Sequence, residues 1–309
     1  MTNTDGAAMK RVAVAIAVGI VATIANALWV DAQTRAALAR TGGHLMQTDM
    51  APANVMVEGK GPPIVLIHGF GASLDWWNAI APALARDQRV IRIDLIGHGG
   101  TAAPRDGYAT ARQAALVASV LDQLGVVRVT VIAHSMGGEV ATALAERTPA
   151  RIERMVLIDT PPTPDTAFTP VMRAFMTPMI GELMSHFVGD DARRQMLAFA
   201  FAPGYPVPER FVADMKQLTY VAFRDAHDAS VAYRSTMALP ARLAALTPVP
   251  PLLVLVGAQD AIVSVDRARL YGSVPGARVE VIDGAGHSPM VEVPAQTLEL
   301  IRAFLPPPS

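Results

Sequence analysis

A β-branched run, Val129 to Ile132, gives way to a helix-like pattern, Glu139 to Arg147, through Ala133-His134-Ser135-Met136-Gly137-Gly138. A chain that turns from strand to helix over one residue forces that residue to positive φ, a strained state for anything but glycine. The strain is tolerated only where the positions two before and two after carry almost no side chain. Here they are Ala133 and Gly137. Such a turn lifts the Ser135 hydroxyl clear of the sheet, at the positive end of a helix where a developing anion is favoured. A serine in a glycine-rich strand–helix turn also occurs in other doubly wound folds, so the surrounding pattern decides its meaning.

That pattern is an alternation. Continuous apolar runs, of the kind buried on both faces of a parallel sheet, occur at Ile64–Ile67, Val90–Ile93, Val129–Ile132, Met155–Ile158, Leu252–Val256 and Val279–Ile282, after a short strand at Val55–Glu58. Helical patterns lie between most of them, at Trp76–Arg86, Ala109–Leu124, Glu139–Arg147 and Ser264–Tyr271. The alternation predicts an α/β fold with a doubly wound, mostly parallel sheet, its site at the carboxyl ends of the strands. From Thr160 to about Leu246 the alternation stops and helical stretches broken by prolines take over. Seven of the nine Phe and seven of the fifteen Met fall there, among them Phe168, Phe175, Phe187, Phe199, Phe211, Phe223, Met172 and Met179. A helical cap inserted over the sheet accounts for this. Part of its apolar content packs the cap on its own domain, and the rest is expected to line an apolar pocket, where unbranched Met adapts to irregular shapes.

Four loops carry chemistry-bearing residues: His68-Gly69-Phe70-Gly71, the Ser135 turn, Gly257-Ala258-Gln259-Asp260, and Gly284-Ala285-Gly286-His287 followed by Glu292 and Pro294. In this order and combination the chain resembles the α/β-hydrolase superfamily over about Val55 to Leu305. The turn resembles that family's nucleophile elbow, departing from G-x-S-x-G in carrying Ala133 at the first glycine. A serine hydroxyl needs a base, and the base needs a third group to fix its tautomer. The chain order Ser135, Asp260, His287 is the order the superfamily uses. Asp159, at the end of the Met155 strand, competes with Asp260 for the third role. The resemblance also implies an oxyanion hole from the amides of Phe70 and Met136. His68 is read as a support of its loop. Asp94-Leu95-Ile96-Gly97-His98-Gly99-Gly100-Thr101 matches the family's D-x-x-G-x-G-x-[ST] loop and is read as architectural, His98 included. Of Trp76 and Trp77, at least one is expected in the core and the other as a possible pocket wall.

The expected activity is hydrolysis of an ester-like bond in a small apolar molecule through an acyl-enzyme, without a cofactor. Haloalkane dehalogenases and epoxide hydrolases need Asp where this chain has Ser135. Carbon–carbon bond hydrolases and cofactor-free perhydrolases keep the same triad and stay open, as does a non-catalytic receptor on the same scaffold. No Cys is present, so a thiolate nucleophile and a Cys-based metal site are excluded, and no His/Asp/Glu cluster has metal-ligand spacing in sequence. A net charge of −1 with 17% charged residues leaves no electrostatic footprint for nucleic acid. Residues 1–43 are expected as an N-terminal hydrophobic segment and 44–309 as the hydrolase domain, with the cap at about 160–246. Val12 to Val30 carries no charge and follows Lys10-Arg11, the pattern of a membrane anchor that leaves the catalytic domain outside the cytoplasm. A cleaved signal ending at Ala25-Asn26-Ala27 and a buried helix are the alternatives. Oligomeric state is not legible.

Overall fold

The computed structural model describes residues 9–21, 24–25, 32, 42–164 and 170–306. Within them one sheet of eight strands runs through the chain: β1 (His44–Met46), β2 (Ala53–Glu58), β3 (Pro63–Ile67), β4 (Arg89–Ile93), β5 (Val129–His134), β6 (Ile152–Ile158), β7 (Leu252–Gly257) and β8 (Arg278–Ile282). Their order across the sheet is β1-β2-β4-β3-β5-β6-β7-β8. The pairs β1–β2 and β2–β4 are antiparallel and every other pair is parallel. Register aligns the carboxyl ends: Ile67 pairs with Ala133, His134 with Ile158, Ile158 with Leu255, and Gly257 with Ile282. The loops after β3, β5, β7 and β8 therefore emerge along one edge, where a doubly wound sheet places its site.

The uninterrupted apolar runs follow from burial on two faces. Val65, Ile67, Val131, Ala133, Met155 and Leu157 point to one core, which α1 (Thr110–Gln123) and α2 (Met136–Arg147) cover. Their alternating neighbours Ile64, Leu66, Ile132, Val156 and Ile158 point to the other, with Trp76, Trp77 and Ile301. Both tryptophans are buried, and neither is on the wall of the cavity in the cap, so the pocket-wall role considered for one of them is not seen there. The helix expected over 76–86 is divided into a 3₁₀ turn, Leu74–Trp77, and a short helix, Ala81–Leu84. Pro82 is the reason, because proline lacks an amide hydrogen and is accommodated only in a helix's first turn. The three-residue β1, largely exposed at the sheet edge, had no pattern by which to be anticipated.

Between β6 and β7 the chain is helical: α3 (Pro170–Met176), α4 (Ile180–Ser185), α5 (Asp190–Ala198), α6 (Glu209–Gln217), α7 (Tyr220–Thr236) and α8 (Leu239–Ala244). Helix α7 is tied to the helix behind the elbow. Ser230 donates to Glu139 at 2.8 Å, Arg234 lies 3.1 Å from the same carboxylate, and Tyr233 donates to Glu146 at 2.7 Å. Arg234 and Arg267 both donate to the Thr163 carbonyl, at 3.1 and 2.8 Å. Helices α5 and α6 are joined to each other by surface ion pairs, Lys216 with Asp190 and Arg194 with Glu209, and α6 is tied to the loop after β3 by Ser73, which donates to the buried Asp214 at 2.8 Å. Phe201, Phe211 and Phe223 are buried, whereas Met179, Leu183, Phe187 and Phe199 face outward. Phe168 lies outside the described residues.

The N-terminal segment is described as helix over 9–21 and 24–25, with Val12, Ile16 and Ile20 exposed. Among the described residues no helix is long and apolar enough to cross a membrane. The expected anchor, Val12–Val30, is thus not supported: a described helix of 9–21 is short of the roughly 20 apolar residues that a span requires, and 22–23 and 26–31 lie outside the described residues.

Candidate active site

Ser135 adopts φ 50° and ψ −122°, the strained backbone that its sequence context demands. Its own amide donates to Ile158 of the neighbouring strand at 2.9 Å, which fixes the turn to the sheet. The strain is carried by close approach: a Cβ on Gly137 would lie 2.5 Å from the carbonyl oxygens of Ile67 and His68. Only glycine lets α2 begin so near β3.

The loops after β7 and β8 complete a linear chain of hydrogen bonds. His287 Nε2 lies 2.9 Å from Ser135 Oγ, and His287 Nδ1 lies 2.8 Å from Asp260 Oδ2. Asp260 Oδ1 accepts from the amides of Ile262 and Val263 at 2.7 and 2.9 Å. Burial works against the Asp260 charge, but the His287 ring and these donors hold its carboxyl below the usual carboxylate range. A carboxylate on Nδ1 leaves Nε2 directed at the hydroxyl. Ser135 is partly accessible, while the His287 and Asp260 side chains are almost wholly buried.

Three residues stand behind this chain: Glu292 and His134, which had no role assigned from sequence, and Asp159, considered there as the rival of Asp260. Glu292 accepts from the amides of Gly286 and Ser288, at 3.1 and 3.0 Å, and of Ala202 at 2.7 Å, clamping the backbone on both sides of His287. His134 donates from Nε2 to the His287 carbonyl at 2.7 Å. Burial and the nearby His287 ring push His134 down to about 3, so it stays neutral. Asp159, at φ 45° and fully buried, accepts from the Gly257 amide at 2.9 Å, and its side chain packs behind Asp260 rather than on Nδ1. One ligand atom each of Asp159, Asp260 and His287 lie within 4.8 Å of one another, the one cluster among the described residues with the donors for a metal ion. Two of those three atoms are already engaged with each other. No sequence spacing announces the cluster, because three separate loops build it.

On the other side of Ser135 lies the loop after β3. A Cβ on Gly69 would meet the Ser135 Cβ at 3.0 Å and the His134 ring at 2.8 Å, so this loop packs on the elbow. The Met136 amide is in the first turn of α2, where helix amides have no partner within the helix. Phe70, three residues beyond the end of β3, is half-buried. His68 is fully buried, donates from Nδ1 to the Gly69 carbonyl at 2.7 Å and accepts at Nε2 from the Leu95 amide at 3.0 Å. It joins the loops after β3 and β4. Asp94 accepts from Leu74, Asn54 and Gly100 at 2.6, 2.7 and 2.8 Å and organises the loop containing His98. Burial pushes Asp94 up to about 6 and His98 down to about 4.

A cavity of about 1060 Å³ in the cap is walled by Phe175, Met196, Met215 and Phe223 together with Arg105, Glu182, Arg193 and Arg224; it reaches the loop after β3 through Met215 and Phe223, and Ser135 and His287 are not among its walls. Phe223 packs edge-on against Phe70 at 4.9 Å, and Met215 covers Gly71. The outward-facing Phe187, Phe199 and Met179 are not among its walls.

The profile of the alpha/beta hydrolase fold matches residues 62–294. The chain belongs to this family. An uncharacterized protein of Mycobacterium tuberculosis is 29% identical over 263 residues, 81% of this chain and 76% of that protein. A solved hydrolase from Pseudomonas aeruginosa is 29% identical, with a TM-score of 0.71 over 85% of this chain and 98% of its own. The enol-lactonase of Burkholderia xenovorans is 25% identical, with a TM-score of 0.69 over 84% of this chain and 99% of its own. This alpha/beta hydrolase is an enzyme of the hydrolase class, with its cap between β6 and β7 and its strand-end loops converging on Ser135.

Proposed function

We propose that this alpha/beta hydrolase cleaves carboxylic esters of small apolar molecules through an acyl-enzyme on Ser135. The reading rests on the unbroken contact Ser135–His287–Asp260, with bonds of 2.9 and 2.8 Å. Ser135 Oγ attacks the ester carbonyl carbon while His287 Nε2 takes the hydroxyl proton. The carbonyl oxygen, now an anion, is met by the amides of Met136 and Phe70, each such donor being worth about 10²–10³ in rate. The tetrahedral adduct expels the alcohol, which leaves with the proton from His287. A water then gives its proton to His287 and attacks the acyl-enzyme, releasing the carboxylic acid and restoring Ser135. Asp260 keeps the ring in the required tautomer and stabilises the imidazolium. The enol-lactonase likeness supports an ester-type bond, and Phe223 and Met215, packed against Phe70 and Gly71 beside the elbow, support an apolar acyl group there.

The test uses the full chain and its Ser135→Ala variant with p-nitrophenyl esters from acetate to long acyl chains and a fluorophosphonate probe. Hydrolysis and labelling by the wild type alone are expected. Labelling without ester cleavage would move the substrate to the vinylogous diketones of carbon–carbon bond hydrolases. A folded wild type that neither labels nor cleaves would leave the receptor reading.

A further inference from the structure

Asp159 has a structural role that the Ser135–His287–Asp260 chain does not use. It follows the last residue of β6 with a left-handed backbone, φ 45°, at a residue that is not glycine. Backbone strain of this kind persists only where the surroundings over-determine it. Its side chain is fully buried, and Oδ1 is fixed by the amide of Gly257, the residue from which the Asp260 turn departs. Its second oxygen, Oδ2, is buried with no hydrogen-bond partner. A bare carboxylate oxygen cannot remain there cheaply, since an unpaired buried charge costs several kcal/mol or neutralises instead.

Lone-pair accounting around Asp260 identifies the missing partner. A carboxylate offers about four acceptor sites. Asp260 Oδ1 takes two backbone amides, from Ile262 and Val263, and Oδ2 takes the His287 Nδ1 hydrogen. One acceptor site is left, on an oxygen with no exposure to solvent, in the cluster whose ligand atoms lie within 4.8 Å of Asp159. One donor is lacking on Asp260 and one hydrogen on Asp159.

The geometry points to Asp159 as the proton-bearing half of a carboxylic acid–carboxylate pair, a positioning residue whose O–H donates to Asp260 behind the catalytic imidazole. The inference rests on the assignment of Asp260 as the acid of the triad. The groups that face Asp159 are Asp260, His287 and, from the turn after the His287 loop, Glu292. Burial first, then the negative charges of Asp260 and Glu292, hold the Asp159 carboxyl well above its ordinary range. Two consequences follow. His287 faces one net negative charge from the pair rather than two. The added donor lowers the basicity of Asp260, so that the proton taken from Ser135 remains on the imidazole.

Infrared difference spectra provide a direct readout. At pH 8, wild type minus Asp159→Asn should contain a carboxylic-acid carbonyl stretch, and the Ser135→Ala background should give the same band. The band requires no turnover, so it is independent of whether esters are the substrate. Asn also donates a hydrogen and still accepts from Gly257. Asp159→Asn is therefore expected to keep kcat within about threefold of wild type with an unmoved acid-side limb of kcat/KM. Asp159→Ala, lacking the donor, should lower kcat at least about tenfold at unchanged KM. Absence of the difference band, or an acid-side limb shifted by about one pH unit in Asp159→Asn, would mean that Asp159 is ionised and would overturn the proposal. Equal losses in the Asn and Ala variants would also overturn it, because the donor would then be irrelevant. Should Asp159→Ala fail to fold, the Asn spectra and pH profile decide alone.

Discussion

Gly137 stands where α2 comes closest to β3, and adding one methyl group there tests the elbow directly. A Cβ would lie 2.5 Å from the Ile67 and His68 carbonyl oxygens and 3.0 Å from the Ile67 carbonyl carbon. All three are backbone atoms, so no side-chain rotation relieves the contact. Restoring a separation of about 3.4 Å requires α2 and the end of β3 to part by about 0.9 Å. Overpacking of this kind costs about 1–3 kcal/mol. At about 2–4 °C per kcal/mol for a chain of this order of size, Tm falls by about 2–12 °C. The effect on rate is larger. Helix α2 carries the Met136 amide and β3 leads to the Phe70 amide, so the two proposed oxyanion donors are drawn apart. A misplacement of about 1 Å costs on the order of 10²-fold in rate. Gly137→Ala is thus expected to fold, to melt a few degrees lower, and to hydrolyse p-nitrophenyl acetate about 100-fold more slowly with KM within about threefold. Differential scanning fluorimetry and steady-state kinetics on the same preparation measure both. Wild-type melting together with wild-type kcat would refute the reasoning, because α2 and β3 would not be in the contact described.

The remaining expectations can be checked on the same assays. Glu139 is pushed up to about 7, burial outweighing Arg234 and Ser230, so the folded state holds a proton that the unfolded state releases above about 4.5. Its stabilising contribution is present below pH 4.5 and is lost as pH rises to 7, so the Tm of the wild type measured relative to Glu139→Gln should fall across that window. His134→Ala removes the donor to the His287 carbonyl and leaves a buried acceptor unpaired, a cost of about 1–3 kcal/mol; kcat/KM should drop about tenfold, with partial recovery in His134→Gln. Trp76→Ala removes a ring stacked on Phe211 at 4.2 Å and on Phe201 and His134 at 5.9 Å. It should cost about 3–5 kcal/mol in denaturant unfolding, and a loss below about 1 kcal/mol would contradict that packing. Phe223→Ala, which opens the wall beside Phe70, should shift the preferred ester toward longer acyl chains; an unchanged chain-length profile would separate the cavity from the site.

What was legible in the sequence was local. The elbow could be read because its strain requires small neighbours within two residues, and the parallel strands because burial on both faces leaves no polar alternation. Ser135, Asp260 and His287 each lie in the loop that follows a parallel strand, so their convergence followed from topology. The second layer was not legible. His134 is a variable position of the turn by sequence, and its hydrogen bond reaches a residue 153 positions away. Glu292 belonged to the resemblance without a role, because its acceptors' partners are backbone amides that carry no side-chain signal. Asp159 looked like a rival to Asp260, and only packing shows it behind that residue. The cap resisted for another reason: its apolar residues divide between outward-facing, buried and cavity-lining positions, and a pattern of Phe and Met cannot distinguish the three.

The cap is stitched to the sheet unevenly, and this bears on how such an enzyme changes over generations. Its later half is bound through Ser230, Tyr233 and Arg234 to the helix that carries the elbow. A substitution there is felt at Ser135. Helices α5 and α6 hold each other through solvent-exposed ion pairs worth about 0–1 kcal/mol each, but hold the domain below through the Ser73–Asp214 hydrogen bond and the buried Leu197, Phe211 and Val212. Helices α3 and α4, with Ile180 and Leu183 exposed and the Tyr220 hydroxyl on the Phe175 carbonyl, are the region where new substrate preferences can be acquired without loss of the reaction, and a directed-evolution library confined to them should yield more active variants than one of equal size in α7.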